Sequence, residues 1–116
     1  MTSRPTAERG AFTMEMRKRS GEYLRKIRLD AGLTQNEVAK ALGLDYYTMI
    51  SQLELGRGFC PPERYVDYAK VCGVDVREFT TQQLRFQNPW AWAILFGQAR
   101  DLKALQTQDA ERRPSQ

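Results

Sequence analysis

Residues 34–58 read TQNEVAKALGLDYYTMISQLELGRG, and this stretch spells two short amphipathic helices joined by a glycine turn. Thr34 is positioned to cap the first helix, and Glu37, three residues later, completes a capping-box pattern. Gly43 is placed to end that helix, because glycine adopts the left-handed conformation at little steric cost. Apolar residues recur at helical spacing on one side of each helix: Val38, Ala39 and Leu42 in the first, and Tyr46, Met49, Ile50 and Leu53 in the second.

The rest of the chain predicts four more helices and no convincing strand. The first covers about residues 21–31, with Ser20 as its cap and Gly32 at its end. After the two central helices, the Pro61–Pro62 pair marks the start of a further helix, because the fixed geometry of proline suits a first helical turn. Cap-like residues introduce two more helices, predicted over 76–87 and 89–106.

The segments LTQNEVAKALGL at 33–44, ISQLELGRG at 50–58 and YAKVCGV at 68–74 resemble the Cro/lambda-repressor-type (Xre-like) helix-turn-helix family. The resemblance covers about residues 21–76. It implies an all-α fold, a five-helix lambda-repressor-like helix-turn-helix domain with an additional C-terminal apolar helix. It also implies that the second motif helix enters the major groove of double-stranded DNA.

This resemblance, together with composition, predicts a division of the chain into four parts. The central part is a DNA-binding domain, and a helical extension for dimerisation follows it. Segments without sustained periodicity lie at both ends. The predicted ranges are 1–19 for a disordered basic N-terminal arm, 20–76 for the helix-turn-helix domain, 77–106 for the C-terminal extension and 107–116 for a disordered tail.

The base-reading residues implied by the resemblance depend on the register of the second motif helix. Ile50 lies seven positions after Gly43, one more than is usual in the family. A register taken from Ile50 directs Tyr47, Thr48 and Gln52 toward the bases. A register taken from Gly43 directs Tyr46 and Tyr47 toward the bases instead. In both, Ser51 is a phosphate or secondary contact, and glutamine and threonine suit the major groove because they pair with base edges.

Other positions imply contacts to the DNA backbone and one internal ion pair. Gln35 occupies the phosphate-contacting position of the family, and Asn36 and Arg57 are the next candidates for such contacts. Arg28 and Glu54 occupy positions where repressors of this type have a salt bridge between the first and third helices. The resemblance therefore implies that this pair is structural.

Composition excludes several other functions. The chain has 116 residues, with 41% hydrophobic and 28% charged residues and a net charge of +4. It contains no histidine and two cysteines, so we expect no enzyme, no metal site and no cofactor. No apolar run is long enough to span a bilayer, and we expect a cytoplasmic protein without a membrane partner.

The N-terminal arm holds the excess of positive charge. Residues 1–20 carry five basic and two acidic groups. Such an arm either adds contacts to DNA or only keeps the protein in solution.

The last predicted helix carries more apolar residues than one buried face requires. Homodimerisation on an inverted repeat is the simplest interpretation, because two recognition helices then face successive major grooves. The alternative is an antitoxin-like or adaptor protein, in which this helix binds another polypeptide and DNA binding is secondary. The residues expected at the interface are Trp90, Trp92, Ile94, Leu95, Phe96 and Leu102.

Overall fold

The computed structural model describes the backbone of residues 3–97 and the side chains of residues 10–97. These residues form six α-helices and one short 3₁₀ turn, without any strand between residues 3 and 97. The prediction of an all-α fold is confirmed. The helices are α1 (Ser3–Asp30), α2 (Gln35–Ala41), α3 (Thr48–Glu54), α4 (Tyr65–Val71), α5 (Val76–Gln87) and α6 (Pro89–Phe96), and the 3₁₀ turn is Pro62–Arg64.

The first helix differs from its prediction, because it begins at Ser3 rather than near Gly21. The expectation of a disordered arm over residues 1–19 does not agree with this helix. Ser20 is not a cap, because it lies in the interior of α1. Its side chain is buried where α1 packs on α5, and its hydroxyl donates a hydrogen bond to Gln83 Oε1 at 3.5 Å. The burial of Ser20 against α5 is a tertiary contact, and α1 runs through this position without a break.

The motif formed by α2 and α3 follows its local signals. The Thr34 hydroxyl accepts a hydrogen bond from the Glu37 amide at 3.1 Å, and Glu37 Oε1 accepts one from the Thr34 amide at 2.8 Å. These bonds complete the predicted capping box and lower the pKa of Glu37 below its usual value. Gly43 then adopts φ +75°, which allows the chain to leave α2 in a tight turn.

The core lies where α1 to α5 meet. The Phe79 ring from α5 is fully buried, with the rings of Tyr23, Tyr65 and Tyr68 at centroid distances of 5.6–6.1 Å. Burial of these rings and the surrounding aliphatic groups is the main stabilising contribution. The other buried apolar residues of this cluster are Leu24, Ile27, Val38, Ala39, Ile50, Leu53, Cys60, Ala69 and Cys72.

Two glycines allow α1 to cross close to the end of α3. A Cβ atom at Gly21 would lie 2.5 Å from the Glu54 carbonyl oxygen. A Cβ atom at Gly56 would lie 2.9 Å from Lys18 Cα. Since backbone atoms cannot move aside easily, only glycine at these positions permits the observed approach. This contact fixes the direction of α3 relative to α1.

The last two helices begin at predicted caps. Asp75 accepts a hydrogen bond from the Glu78 amide at 3.1 Å, and α5 covers the predicted range of 76–87. Asn88 accepts one from the Ala91 amide at 3.1 Å, and Pro89 opens α6. The predicted continuation of this helix to residue 106 lies outside the described residues. In the part of the chain that is described, no helix has the length and apolarity needed to cross a membrane.

Candidate nucleic-acid interface

The outer face of α3 is the surface that the core leaves open. Ile50 and Leu53 are buried, and at 3.6 residues per turn the opposite side of this helix presents Thr48, Gln52 and Leu55. Ser51 lies beside them. On this side of α3, Thr48 is exposed, and Ser51 and Gln52 are half-buried.

The two tyrosines lie before α3 rather than within it. Tyr47 occupies the N-cap position, and Tyr46 precedes it in the turn. Tyr46 is 76% exposed and Tyr47 is 52% exposed, so the expectation that Tyr46 belongs to the buried side of the second helix is wrong. The additional residue between Gly43 and Ile50 is accommodated in this turn, because α3 starts only at Thr48. Both rings are accessible to a ligand.

An ion pair joins α1 to the end of α3. Arg28 donates two hydrogen bonds to the Glu54 carboxylate, from Nε at 2.6 Å and from Nη2 at 2.9 Å. A third bond connects Arg28 Nη1 to the Leu33 carbonyl at 2.8 Å. The Arg28 and Glu54 side chains are at least 90% buried. The hydrogen bond to Glu54 raises the pKa of Arg28 above its usual value. The pair is structural, because its charges are directed at each other and not at the surface.

Gln35 is connected to the same ion pair. Its Nε2 donates to Glu54 Oε1 at 3.1 Å, which links the N-terminus of α2 to the end of α3. The side chain of Asn36 is exposed next to it. Together with Tyr47, these two residues line a shallow groove between α1, α2 and the turn before α3. The fold thus brings together three of the residues that the sequence proposed for DNA contact.

A second contact orients Gln52. Arg57 Nη1 donates to Gln52 Oε1 at 3.3 Å, at the exposed end of α3. Because a guanidinium only donates hydrogen bonds, this contact occupies the amide oxygen and leaves the Gln52 amide nitrogen available as a donor. Arg57 is exposed, and it is the cation nearest in sequence to the open face of α3.

Two basic residues of the predicted arm reach the loop after α3. The Lys18 backbone lies against Gly56, and the Arg17 guanidinium carbon is 5.9 Å from the centroid of the Phe59 ring. Both residues belong to α1, and they contact Gly56 and Phe59 of the loop that contains Arg57. Positive charge from the first twenty residues is thus fixed on the fold at this loop.

The residues predicted for dimerisation divide into two groups. Trp92 is turned toward α5, where the Arg85 guanidinium carbon lies 4.7 Å from its ring centroid, and the Trp90 ring meets Phe12 at 5.7 Å. Ile94, Leu95 and Phe96 are exposed. Leu102 lies outside the described residues.

The fold and the open face of α3 define the class of protein: an all-α DNA-binding protein built around a helix-turn-helix. Residues 20–81, more than half of the chain, match the family described as helix-turn-helix domain. The chain belongs to this family. No curated protein and no solved structure matches the chain.

Some features of this surface were not expected from the sequence. Leu55 is 58% exposed on the same side as Thr48 and Gln52. Its spacing of three residues from Gln52 indicates this position, because residues three apart lie on one side of a helix. The bond between Gln52 and Arg57 had no signal, because it depends on how the chain turns after Gly56. No group of three potential metal ligands occurs among residues with described side chains.

Proposed function

We propose that this chain is a sequence-specific transcriptional regulator that binds an inverted repeat in double-stranded DNA as a homodimer. The exposed side of α3, which carries Thr48, Ser51 and Gln52, is the observation that supports major-groove binding. A helix presented in this way fits the major groove, whose base edges carry a distinct pattern of donors and acceptors. We propose that the protein is located in the cytoplasm. We also propose that it has no catalytic activity, no cofactor and no membrane partner.

Within this proposal, Gln52 and Thr48 read the bases. Gln52 offers amide donors, while Thr48 offers both a hydroxyl and a methyl group. Tyr46 and Tyr47 lie at the start of the helix, where a tyrosine ring can contact a thymine methyl or its hydroxyl a phosphate. Ser51 makes a secondary contact. This assignment follows the register in which Ile50 and Leu53 are buried.

Backbone contacts come from residues on either side of the reading helix. Gln35 and Asn36 flank the groove next to Tyr47, and Arg57 extends from the loop that follows α3. Lys18 adds charge near that loop because its backbone packs on Gly56. These contacts position the protein without reading sequence. We therefore propose that Arg17 and Lys18, which contact the loop after α3, contribute to DNA binding rather than to solubility alone.

The dimer contact is proposed on α6. Ile94 is 69% exposed and Leu95 is 65% exposed, and Phe96 continues the same apolar surface. Apolar surface costs about 25 cal/mol per Å² when it stays in water, so a second copy of this surface is a suitable cover. Trp90 lies at the edge of the surface, whereas Trp92 supports it from the inner side through Arg85.

A selection from random DNA tests the reading residues. Gln52→Ala should lose discrimination at one base pair, worth about 1–3 kcal/mol, while non-specific binding persists. Gln35→Ala should weaken binding to all sequences similarly, and Gln82→Ala on α5 is the matched control that should change neither. If the Gln52→Ala protein selects the same site with the same preference, the proposed reading face is wrong.

Sedimentation tests the dimer. Leu95→Glu should convert a dimer into a monomer and weaken operator binding steeply, because one half-site lacks the gain from two linked binding events. Val66→Glu replaces an exposed apolar residue of α4 and serves as the control. A wild-type monomer at micromolar concentration would instead favour the adaptor function, in which the exposed surface of α6 binds another polypeptide.

A further inference from the structure

A cavity of about 220 Å³ lies between α1, the loop after α3, α5 and α6. Four aromatic rings line it, from Phe12, Phe59, Phe86 and Trp90. None of its lining residues belongs to the open face of α3 or to the exposed group at Ile94–Phe96. The cavity shares only Trp90 with the edge of the proposed dimer surface, and it lies beside the contact of the Phe12 and Trp90 rings.

The lining indicates the kind of molecule that fits. Aromatic rings pack well against the faces and edges of another ring. An engineered cavity of about 150 Å³ takes up benzene, so a cavity of 220 Å³ has room for one ring with a small substituent. Aliphatic chains would fill the same volume without matching the electrostatics of the rings around it.

Two polar side chains line the cavity, Thr13 and Gln87, and both carry an oxygen that can accept a hydrogen bond from a ligand. Gln87 Nε2 donates to the Cys60 carbonyl at 3.0 Å and to the Tyr65 hydroxyl at 2.5 Å. Its amide nitrogen is therefore occupied within the protein, and the acceptors that the lining offers are the Gln87 amide oxygen and the Thr13 hydroxyl oxygen. An oxygen acceptor pairs with a hydroxyl or an N–H donor. The complementary ligand is a single aromatic ring that carries one such donor.

We propose that this cavity binds a small aromatic molecule with one hydrogen-bond donor, of the phenol type, and that its occupancy tightens DNA binding. Phe59 connects the two sites, because it lines the cavity, packs against Arg17 and lies two residues after Arg57. A ligand that immobilises Phe59 orders this loop before DNA arrives, so less conformational entropy is lost on binding. The effect on DNA rests on the proposed function, whereas ligand binding does not.

Fluorine NMR with 4-fluorophenol tests ligand binding on the full chain without DNA. Saturable binding is expected, at least tenfold weaker for 4-fluoroanisole, which lacks the donor. Thr13→Leu should weaken binding of 4-fluorophenol at least tenfold by filling the cavity, while Met14→Leu, on the neighbouring exposed position of α1, should leave it unchanged. No saturation at millimolar probe, or equal binding by both variants, would overturn the site.

Two further measurements keep the result decisive. Nuclear Overhauser contacts between the probe and the Trp90 indole of the unmodified chain support the site even if Thr13→Leu fails to fold, and contacts to other residues alone refute it. Affinity for the selected DNA site should rise about threefold with saturating probe. Probe binding with unchanged DNA affinity would retain the ligand site and refute its regulatory effect. A chain that binds the probe and no DNA would refute the proposed function instead.

Discussion

The helix-turn-helix region at residues 20–81 and the two segments that flank it differ in how completely they bury their apolar side chains. Within the matched region, Leu24, Val38 and Ile50 are fully buried in one core. The exposed large apolar residues of this region include Leu55 on the open face of α3 and Val66 on α4. In the flanking segments, Ile94 and Leu95 remain exposed, and Met14 on the N-terminal half of α1 is 62% exposed. The first region completes its own core, whereas the flanking segments cover each other only in part.

This difference suggests that the matched region mainly determines the stability of the fold, whereas the flanking segments mainly provide surfaces for binding other molecules. The matched region contains the buried ion pair, the close helix crossing and the aromatic cluster around Phe79. The flanking segments contribute the exposed surface of α6 and all of the cavity lining except Phe59. Substitutions of buried residues in the first region should therefore lower the free energy of unfolding most, and substitutions in the second should mainly alter local structure and binding.

Breaking the buried ion pair should give the largest effect. Arg28→Ala leaves the Glu54 carboxylate buried without its partner, and we expect the free energy of unfolding to fall by about 3–5 kcal/mol in urea titrations. Arg25→Ala, an exposed neighbour on α1, should change it by less than about 0.5 kcal/mol. A loss below about 1 kcal/mol for Arg28→Ala would show that the core does not depend on this pair.

The next effect concerns two glycines on the same helix. Gly21→Ala would place Cβ 2.5 Å from the Glu54 carbonyl and 2.7 Å from that of Leu53, which forces α1 away from α3. We expect a loss of about 1–3 kcal/mol by thermal or urea unfolding. Gly10→Ala meets no atom within 4 Å and should instead stabilise the helix by about 0.5–1 kcal/mol. Equal effects at both positions would contradict the close crossing.

The ends of the helices show which structural features can be predicted from the sequence. The capping box at Thr34 and Glu37, the turn at Gly43 and the start of α5 at Asp75 were predictable, because each signal involves residues within one helical turn. Ser20 carried an equally good cap signal. Its burial against Gln83, 63 residues away, overrides that signal, and no local pattern announces such a contact.

Some features of the candidate interface can likewise be predicted from the sequence, and others cannot. The position of Thr48 and Gln52 on the side of α3 opposite the core follows from the helical period once Ile50 is placed inside. The pairing of Arg28 with Glu54 was anticipated only through family resemblance. The helical N-terminal half of α1 was not anticipated, because Phe12 packs on Trp90 near the other end of the described chain. The contacts with Gln52 and Phe59 arise from a loop whose course no periodicity encodes.

The cysteines of the matched region predict a moderate loss of stability at alkaline pH. Burial raises the pKa of Cys60 to about 12 and that of Cys72 to about 11, from 9.0. The folded state thus favours the neutral thiols, and this contribution is complete below pH 9 and is lost as the pH rises through 11 and 12. The free energy of unfolding should fall by on the order of 1 kcal/mol per pH unit above pH 9.

Urea titrations between pH 8 and pH 10.5 measure this dependence. Cys60→Ala should make it less steep, because one of the buried thiols is removed. A reagent for free thiols should also react slowly with the native protein, since both cysteines are buried and reduced. A pH-independent free energy of unfolding over this range would mean that the thiols have no raised pKa in the folded state.

The smallest effect on global unfolding is expected in the flanking segments. Phe12→Ala removes the edge-to-face contact with Trp90, whose centroid lies 5.7 Å away, and such contacts contribute about 0.5–1.5 kcal/mol. Amide hydrogen exchange in α6 should become faster, while α2 and α3 keep their protection because their core is separate. Met14→Ala, at an exposed position two residues away, should leave all rates unchanged. If Phe12→Ala instead accelerates exchange in α3 as much as in α6, the flanking segments unfold together with the helix-turn-helix, and the two regions form one cooperative unit.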